Sequence, residues 1–339
     1  MSKQITVIIP CYNVEKYVSK CLDSVLAQNF NEQYDIIVIN DGSTDNTMQV
    51  LNGYRDKLTK LVDNTNHGVA YSRRLGAELA TTKYVVYVDS DDWVEPDYLQ
   101  TIWDNHTNSV MPFVGMKESF ADGSQRVGEL FSGKYTFDQA LMHFTMTNDA
   151  CAVIRTIFER EKLLKIEMPE LTYAEDFLFI LSYAKKFNFD INILPNICYV
   201  YNRANEGSAT KFYYGTKHLQ SYFLIPFVLR DILLLGENTK EQLNFYKQIL
   251  NKEIGVCTIR TMRTINYKSA KKIFNSEAFK WFRNNKGGCQ GEFKFRLAYF
   301  MFKHKMLWLL NFIINITTKN KGKVDYTLPN NFFDKYTKM

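Results

Sequence analysis

Three acidic residues within four positions end an apolar segment of the chain. The residues Tyr84–Val88 are followed by Asp89, Asp91 and Asp92. Carboxylates this close to one another repel unless a cation lies between them. A divalent cation prefers oxygen ligands and bridges phosphate groups, so the cluster predicts a site for Mn²⁺ or Mg²⁺ on a diphosphate. A solvated acidic turn is the simpler alternative, whereas an EF-hand loop is excluded because Gln100 occupies its twelfth position.

Polar residues also follow the first two runs of β-branched residues. The first run ends in Pro10 and Tyr12, and a simple turn from strand to helix is the alternative to a binding role there. The second run ends in Asp41, whose carboxylate can accept a hydrogen bond from a nucleotide base. Ser43 or Thr44 is expected to cap the helix that follows.

Two neighbouring arginines lie on a helix that is predicted to lead into the acidic strand. Arg73 and Arg74 belong to the segment 66–76, which begins with a loop that contains His67. Guanidinium groups bind carboxylates or a diphosphate in bidentate fashion, so this helix is expected to bring a cation beside the acids. His67 has no evident partner in the sequence and is assigned to the loop.

Short β-branched runs alternate with segments of helical periodicity up to the acidic cluster. This alternation predicts βαβ units and therefore an α/β fold, a mostly parallel, Rossmann-like sheet with helices on both faces. Ligands of such sheets bind beyond the carboxyl ends of the strands, where the polar segments lie. The predicted strands are Ile5–Pro10, Tyr34–Asn40, Leu58–Asp63 and Lys83–Asp89, and the predicted helices are Val14–Asn29, Thr44–Tyr54 and Gly68–Ala80.

The rest of the chain divides into a mixed part and a helical part. After Phe212 the pattern is helical and aromatic to about Thr318, with a glycine-rich break at residues 286–288. We therefore predict two domains, residues 1–212 and residues 213–339. In the mixed part the predicted elements are a hairpin around residues 121–124, helices at about Phe137–Met146 and Ala174–Phe187, and a strand at Ile197–Asn202.

The four polar segments together resemble the nucleotide-sugar domain of glycosyltransferase family 2, which has the GT-A fold. The resemblance runs from Ile5 to about Trp93, with weaker signals to Thr210. It implies an inverting transferase that uses Mn²⁺ or Mg²⁺ and takes a sugar from a nucleoside-diphosphate donor, for which a UDP-sugar is expected. One position departs from the family, which usually has Asn where this chain has Arg74.

The resemblance also implies roles for individual residues. Asp91 is the expected ligand of the metal ion on the diphosphate, and Asp92 is expected to support it. The donor-binding residues that the resemblance implies are Pro10, Tyr12 and Asp41 for the base, and Arg73, Asp89, Ser90 and Asp91 for the rest of the nucleotide.

An acidic pair at the start of a predicted helix supplies a candidate base. Glu175 and Asp176 precede an aromatic residue, as in the same family. Inverting transfer needs a carboxylate that takes the proton of the acceptor hydroxyl as the new bond forms. The resemblance assigns this role to Asp176, with Glu175 in support. The alternative is that both acids only complement the N-terminus of the helix.

The segment 199–210 resembles the loop that closes over the diphosphate in this family. Arg203 is the expected clamp, because a fixed guanidinium stabilises the negative charge that grows on the leaving group. A structural salt bridge is the alternative role for Arg203.

Positive charge is concentrated in the C-terminal region. The net charge is +6, yet residues 243–323 hold 17 Lys or Arg against three Glu, an excess of 14. Together with the aromatic residues of this region, the charge favours an anionic membrane surface, a polyanionic polymer, a solvated helical face or a contact between copies of the chain. Nucleic acid is not expected as a partner, because no recognised reading module accompanies the charge. The expected membrane contacts are Phe300, Leu307, Trp308 and Phe312.

Composition and cysteine usage are those of a globular protein from a reducing compartment. Hydrophobic residues make up 46% and charged residues 23% of the 339 residues, which excludes disordered and collagen-like chains. The six cysteines form no C-x-x-C pair, and Met1 is not followed by a signal peptide. The longest apolar run, Met306–Ile316, is too short to span a membrane. We therefore expect a cytoplasmic protein that lies at the inner face of the membrane.

Two other functions share some of these features. A sugar-phosphate nucleotidyltransferase has a similar sheet but needs a glycine-rich, basic loop after the first strand, and residues 11–14 are not such a loop. A non-catalytic relative that binds nucleotide or polyanion does not need Asp91 and Asp176, which are both present. For the transferase, the expected acceptor is a cell-envelope polysaccharide, a lipid-linked glycan or a polyanionic polymer.

Overall fold

The chain divides into two compact units. The first contains Met1–Glu170 and Glu175–Lys211, and the second contains Leu171–Ala174 and Phe212–Met339. The computed structural model describes residues 3–128, 131–147, 152–167, 171, 173–205, 218–285 and 287–317, with residues 323, 326, 328, 332 and 333. The boundary predicted at residue 212 lies outside the described residues.

The strands belong to the first unit and form two sheets. β1 and β2 coincide closely with the β-branched runs that predicted them. The strands among the described residues are β1 (Ile5–Cys11), β2 (Tyr34–Asp41), β3 (Lys60–Asn64), β4 (Tyr84–Tyr87), β5 (Trp93–Val94), β6 (Val110–Ser119), β7 (Gln125–Val127), β8 (Gly133–Tyr135), β9 (Ile157–Glu159) and β10 (Asp190–Asn202).

The first sheet has the strand order β3-β2-β1-β4-β9. β1 pairs in parallel with β2 and β4, and β2 pairs in parallel with β3. All seven residues of β1 are buried, which is the pattern of a parallel strand covered on both faces. The predicted parallel arrangement is therefore confirmed. The antiparallel strand β9 at the edge beside β4 was not predicted.

The second sheet contains β5, β10, β6 and β7 in that order, and β8 also pairs with β10. The antiparallel pair β6–β7 confirms the hairpin predicted around residues 121–124. The strand predicted at Ile197–Asn202 is only the second half of β10. β5 follows the acidic cluster directly and pairs with β10, so residues 89–92 connect the two sheets.

Helices surround the sheets of the first unit and make up the second unit. The first unit has α1 (Val18–Leu26), α2 (Thr47–Asn52), α3 (Val69–Leu79), α4 (Tyr98–Asn105), α5 (Phe137–Met146), α6 (Arg160–Leu163) and α7 (Glu175–Phe187). The second unit has α8 (Leu219–Leu233), α9 (Lys240–Thr264), α10 (Tyr267–Phe274), α11 (Lys280–Asn284), α12 (Phe293–Lys303) and α13 (Leu307–Thr317).

The longest helix, α9, packs against α8 and α12 in the second unit. It begins with a capping box formed by Thr239 and Gln242. At Gly255 the backbone of α9 approaches α12 closely, because a Cβ atom there would lie 2.3 Å from the carbonyl oxygen of Phe295. No helix in the described part of the chain is long and apolar enough to cross a membrane.

Replacing Gly255 with alanine is expected to destabilise the second unit. Alanine is normally the better helix former by about 1 kcal/mol, but here its methyl group overlaps the carbonyl oxygen of Phe295. Overpacking usually costs about 1–3 kcal/mol, so the midpoint of urea unfolding should fall. Gly287→Ala is the matched control, since the nearest atom to its Cβ would be 3.4 Å away. Equal midpoints for the two variants would contradict the close packing of α9 on α12.

Candidate active site

Hydrogen bonds join the loops that follow the first two strands. β1 and β2 are parallel and paired as far as Cys11 and Asn40, so both loops leave the same edge of the sheet. The backbone N–H of Asn13 donates to the hydroxyl of Ser43 at 3.0 Å, and the Asn13 side chain accepts from the backbone N–H of Thr44 at 2.7 Å. The polar segments predicted at these two strand ends therefore lie together.

Neither Ser43 nor Thr44 caps α2, contrary to the prediction. The helix begins at Thr47, whose backbone N–H donates to Asp45 Oδ1 at 2.9 Å. Asp45 Oδ2 also accepts the backbone N–H of Glu15 at 3.1 Å. The prediction was wrong because several side chains in this segment compete for the same backbone donors, and Ser43 is engaged by the loop after β1.

Asp41 is buried and holds the loop between β3 and α3. Its two oxygens accept the backbone N–H groups of His67 at 2.9 Å and Gly68 at 2.8 Å. Gly68 has a φ of 91°, a conformation that favours glycine. Each carboxylate oxygen has a second lone pair, so Asp41 can still accept a hydrogen bond from a base. Of the other predicted base-binding residues, Pro10 is buried and Tyr12 is 47% exposed.

Asp92 belongs to an internal hydrogen-bond network. Its carboxylate accepts the hydroxyl of Tyr199 at 2.9 Å and the backbone N–H of Asn202 at 2.8 Å. The same hydroxyl accepts the backbone N–H of Asp89 at 3.1 Å. Burial, followed by the charges of Asp91 and Asp89, raises the pKa of Asp92 well above its usual range. Sequence reasoning missed Tyr199, because only the pairing of β5 with β10 brings it to the acids.

Asp91 has a single hydrogen-bonding side chain beside it among the described residues. Asn205 donates to Asp91 Oδ2 at 2.8 Å, and burial together with the charge of Asp89 raises the pKa of Asp91. No group of three His, Cys, Asp or Glu side chains in this part of the chain is arranged to hold a metal. A divalent cation at Asp91 would therefore take most of its ligands from a diphosphate and water. Mg²⁺ is commonly bound in this way, so the residues present fit such an ion.

Ser90 lies between Asp89 and Asp91 in the acidic cluster. It is buried and contacts the thiol of Cys11 at the end of β1. Burial raises the pKa of the Cys11 thiol to about 12, so this thiol is protonated at neutral pH. The donor-binding role that was predicted for Ser90 stays a prediction.

The guanidinium of Arg73 bridges two carboxylates from distant parts of the chain. Nη2 donates to Asp89 at 2.8 Å, and Nη1 donates to Asp176 at 2.6 Å. The Arg73 side chain is 4% exposed, and its Nε has no hydrogen-bond partner among the described residues. Burial by itself lowers the pKa of Arg73, but Asp176 and Asp89 raise it above its ordinary value. Arg73 therefore stays charged and joins the predicted base to the first acid of the cluster.

The acidic pair at the start of α7 is partly buried, and the Asp176 side chain is 21% exposed. Asp176 Oδ1 is held by Arg73, and Oδ2 accepts the backbone N–H of Val153 at 3.3 Å. Burial raises the pKa of Asp176, although Arg73 acts in the opposite direction. Burial and then the charge of Asp176 raise the pKa of Glu175 to about 7. A carboxyl group with a pKa near neutral, such as that of Glu175, is suited to general acid–base catalysis.

Arg203 forms an ion pair with Glu118. A structural salt bridge of this kind was the predicted alternative to a clamp on the diphosphate. The Nε of Arg203 donates to Glu118 Oε1 at 2.7 Å, and Arg126 contacts the same carboxylate. Burial acts in the opposite direction, but the two arginines lower the pKa of Glu118 below its usual range. The remainder of the predicted clamp, residues 206–210, lies outside the described residues.

The stability of the protein should depend on pH through Glu175. The folded pKa of about 7 lies above the ordinary value of 4.5, so the folded protein binds more protons between these values. Stability is therefore lost as the pH rises through this window, and Glu175→Gln removes the loss. The difference in Tm between this variant and the natural protein, measured by circular dichroism, should therefore be more favourable to the variant at pH 8 than at pH 5. Glu78→Gln, at an exposed position of α3, is the control, and an equal pH dependence for both variants would contradict the prediction.

Residues 6–155 match the family described as Glycosyl transferase family 2. The glycosyltransferase GlyA of Streptococcus pneumoniae is 39% identical over 102 residues, which cover 30% of this chain and 14% of GlyA. The uncharacterized glycosyltransferase EpsJ of Bacillus subtilis is 25% identical over 258 residues, which cover 71% of this chain and 74% of EpsJ. The match to the family includes the strand ends and the acidic cluster described above.

The poly(ribitol-phosphate) beta-N-acetylglucosaminyltransferase TarS of Staphylococcus aureus is similar in both sequence and fold. It is 28% identical over 242 residues, which cover 68% of this chain and 39% of TarS. A crystal structure of TarS residues 1–349 in complex with UDP-GlcNAc has a TM-score of 0.59, with 19% identity over 89% of this chain and 91% of that structure. The aligned part of this chain thus spans less than two thirds of GlyA and of full-length TarS. The predicted GT-A fold is confirmed. The predicted resemblance to glycosyltransferase family 2 is confirmed over residues 6–155.

Proposed function

We propose that this chain is a glycosyltransferase that moves a sugar, with inversion, from a UDP-sugar to an acceptor hydroxyl in a single displacement. The observation that carries the proposal is the Arg73 bridge between Asp176 and Asp89. One buried guanidinium holds the proposed base at a fixed position relative to the acids that follow β4. Such fixed geometry is what converts an encounter of two substrates into an efficient displacement.

Asp176 is the proposed general base. Its Oδ1 is held by Arg73 at 2.6 Å, whereas Oδ2 receives the longer hydrogen bond from Val153, so Oδ2 is the oxygen that takes the proton. The acceptor oxygen forms a bond to the anomeric carbon while the bond from that carbon to the diphosphate breaks, and the hydroxyl proton passes to Asp176. An α-linked donor then gives a β-linked product. The raised pKa of Asp176 makes it a stronger base than an exposed aspartate.

Asp91 is the proposed protein ligand of Mn²⁺ or Mg²⁺. When bound, such an ion neutralises the charge that develops on the diphosphate leaving group. The raised pKa of Asp91 supports this role, because no cationic side chain of the described residues compensates its charge. Pro10, Tyr12 and Asp41 are proposed to hold the nucleotide base at the ends of β1 and β2. For Arg203, the ion pair with Glu118 favours the structural role over that of a clamp.

UDP-N-acetylglucosamine is the proposed donor, and a phosphate-rich polymer of the cell envelope is the proposed acceptor. The name and the bound ligand of TarS support these choices. The excess of 14 positive charges in residues 243–323 is complementary to a polyanion. The alternative acceptors are a neutral cell-envelope polysaccharide and a lipid-linked glycan, and the phosphate-rich polymer is to be compared with both.

Two further properties are proposed for the region 213–339. The first is a peripheral position at the cytoplasmic face of the membrane, supported by the positive charge of this region. The second is self-association into a homo-oligomer through the same region.

Donor turnover is expected to require a divalent cation and Asp91. A panel of UDP- and GDP-sugars is incubated with the protein and Mn²⁺, and the released nucleoside diphosphate is measured. A single preferred donor should emerge, and both chelation with EDTA and Asp91→Asn should abolish its turnover. Asp104→Asn, at an exposed position of α4, is the matched control and should be fully active. Full turnover in EDTA would show that the metal assignment is wrong.

Asp176→Asn should retain donor binding but lose about two to four orders of magnitude in transfer rate, the usual contribution of a general base. Calorimetry with the preferred UDP-sugar measures binding, and a single-turnover assay measures transfer. Because the substitution weakens one of the two ion pairs of Arg73, the unfolding curve is recorded in parallel. Glu175→Gln is the matched variant. If Glu175→Gln is inactive and Asp176→Asn is near normal, Glu175 is the base.

A further inference from the structure

The four most exposed large apolar side chains of the described residues lie on two consecutive helices of the second unit. Phe293 and Phe300 of α12 are 69% and 50% exposed, and Trp308 and Phe312 of α13 are 57% and 59% exposed. The next most exposed, Val127 at 49%, lies in the first unit. Single exposed apolar residues are common on protein surfaces, but a concentration of large aromatic rings indicates an interaction site.

The exposed aromatic rings of α12 share one side of the helix with basic residues. Phe293, Arg296, Phe300 and His304 are exposed and follow one another at intervals of three or four residues, which places them on one face. The imidazole of His304 packs on the ring of Phe300, with centroids 4.4 Å apart. The opposite side of α12 is buried, with Ala298, Tyr299, Met301 and Phe302.

α13 has large apolar residues on its inward side and on its outward side. Leu307, Leu310 and Ile314 are buried, and α13 packs against α9, α10 and α12. Leu307 was expected to contact a membrane, and this expectation is wrong because Leu307 lies on the inward side. Trp308 and Phe312 point away from that core and make no ring contact within the described residues. α13 also carries the amides of Asn311 and Asn315, which accept hydrogen bonds from Lys323, so the indication of a partner rests on the two exposed rings.

The charge of these helices identifies the kind of partner. Residues 293–317 contain Lys294, Arg296, Lys303 and Lys305 and no Asp or Glu. Glu292, just before α12, pairs with Lys294 at 2.7 Å. Aromatic rings mixed with Lys and Arg are typical of surfaces that lie in the headgroup region of an anionic bilayer.

We propose that the aromatic surface formed by Phe293, Phe300, Trp308 and Phe312 binds the headgroup region of an anionic lipid bilayer. The inference rests on the proposed membrane position and is independent of the proposed chemistry. A second copy of the chain is the less suitable partner. A two-fold contact through the same patch would bring the positive charges of the two copies together. In addition, the centres of protein interfaces are depleted in charged residues.

Co-sedimentation of the full chain with vesicles tests the proposal. Binding is expected with vesicles that contain phosphatidylglycerol, and weaker binding with pure phosphatidylcholine. The double variant Trp308→Ser/Phe312→Ser should bind the anionic vesicles about 100-fold more weakly, at roughly tenfold for each ring that no longer enters the bilayer. Leu235→Ser, which replaces another exposed apolar residue of the second unit, is the matched control and should bind normally.

A second set of variants separates the aromatic surface from charge alone. Lys268, Lys271 and Lys272 of α10 are exposed, lie at intervals of three and four residues, and have no ion pair within the described residues. If the triple Lys→Gln variant at these positions loses vesicle binding while the aromatic variant keeps it, the proposal is overturned in favour of binding by the α10 lysines. A dimer that the aromatic variant dissociates without any change in vesicle binding would overturn it in favour of a second copy.

Two further measurements keep the outcome distinct from folding and from the proposed chemistry. Unfolding curves show whether each variant is folded. Donor turnover in lipid-free buffer should be unchanged in the aromatic variant. Loss of vesicle binding with normal turnover would support the aromatic surface as a membrane-binding site that is separate from the proposed chemistry. A natural protein that binds vesicles but turns over no donor would reject the proposed chemistry and leave the membrane surface standing.

Discussion

The candidate site depends on one buried guanidinium. Asp89 and Asp176 come from the end of β4 and the start of α7, and their carboxylates would repel if Arg73 did not lie between them. A buried charge is tolerated only when it is well paired, so Arg73 needs both acids as much as they need Arg73. Its helix, α3, packs so closely on β1 that a methyl group at Gly76 would overlap the side chain of Ile8. The position of the proposed base is therefore set by the contact of a helix with the sheet.

The three acids after β4 have different environments because their partners come from distant segments. Asp89 is neutralised by Arg73, and Asp92 is satisfied by Tyr199 and the backbone of β10. Within the described residues, Asp91 has one amide donor and a raised pKa, which makes it the acid that a cation would stabilise most. The spacing of the acids in the sequence predicted a cluster at a strand end. It did not separate Asp91, the proposed metal ligand, from Asp89 and Asp92, because the partners of those two acids are contributed by α3 and β10.

Sequence patterns predicted best those elements whose signals are local. α5 has its predicted bounds, Phe137–Met146, because a capping box fixes its start within four residues. β10 was predicted from Ile197 but begins at Asp190, since a register shift before Ile197 lets the strand continue across an irregularity. The antiparallel edge strand β9 and the role of Tyr199 depend on pairing between segments far apart in the sequence. Periodicity within a segment carries no information about such partners.

The apolar run Met306–Ile316 shows the same limit on a smaller scale. Its composition predicted a helix that meets something apolar, and its length was too short for a membrane span. The composition did not determine the rotation of the helix, which follows from how α13 packs on α9, α10 and α12. That packing buries Leu307 and turns Trp308 outward, although the two residues are adjacent. The helix thus contributes Leu307 to the core and leaves the ring of Trp308 for the proposed bilayer contact, so stability and that proposed contact can be altered separately in this region.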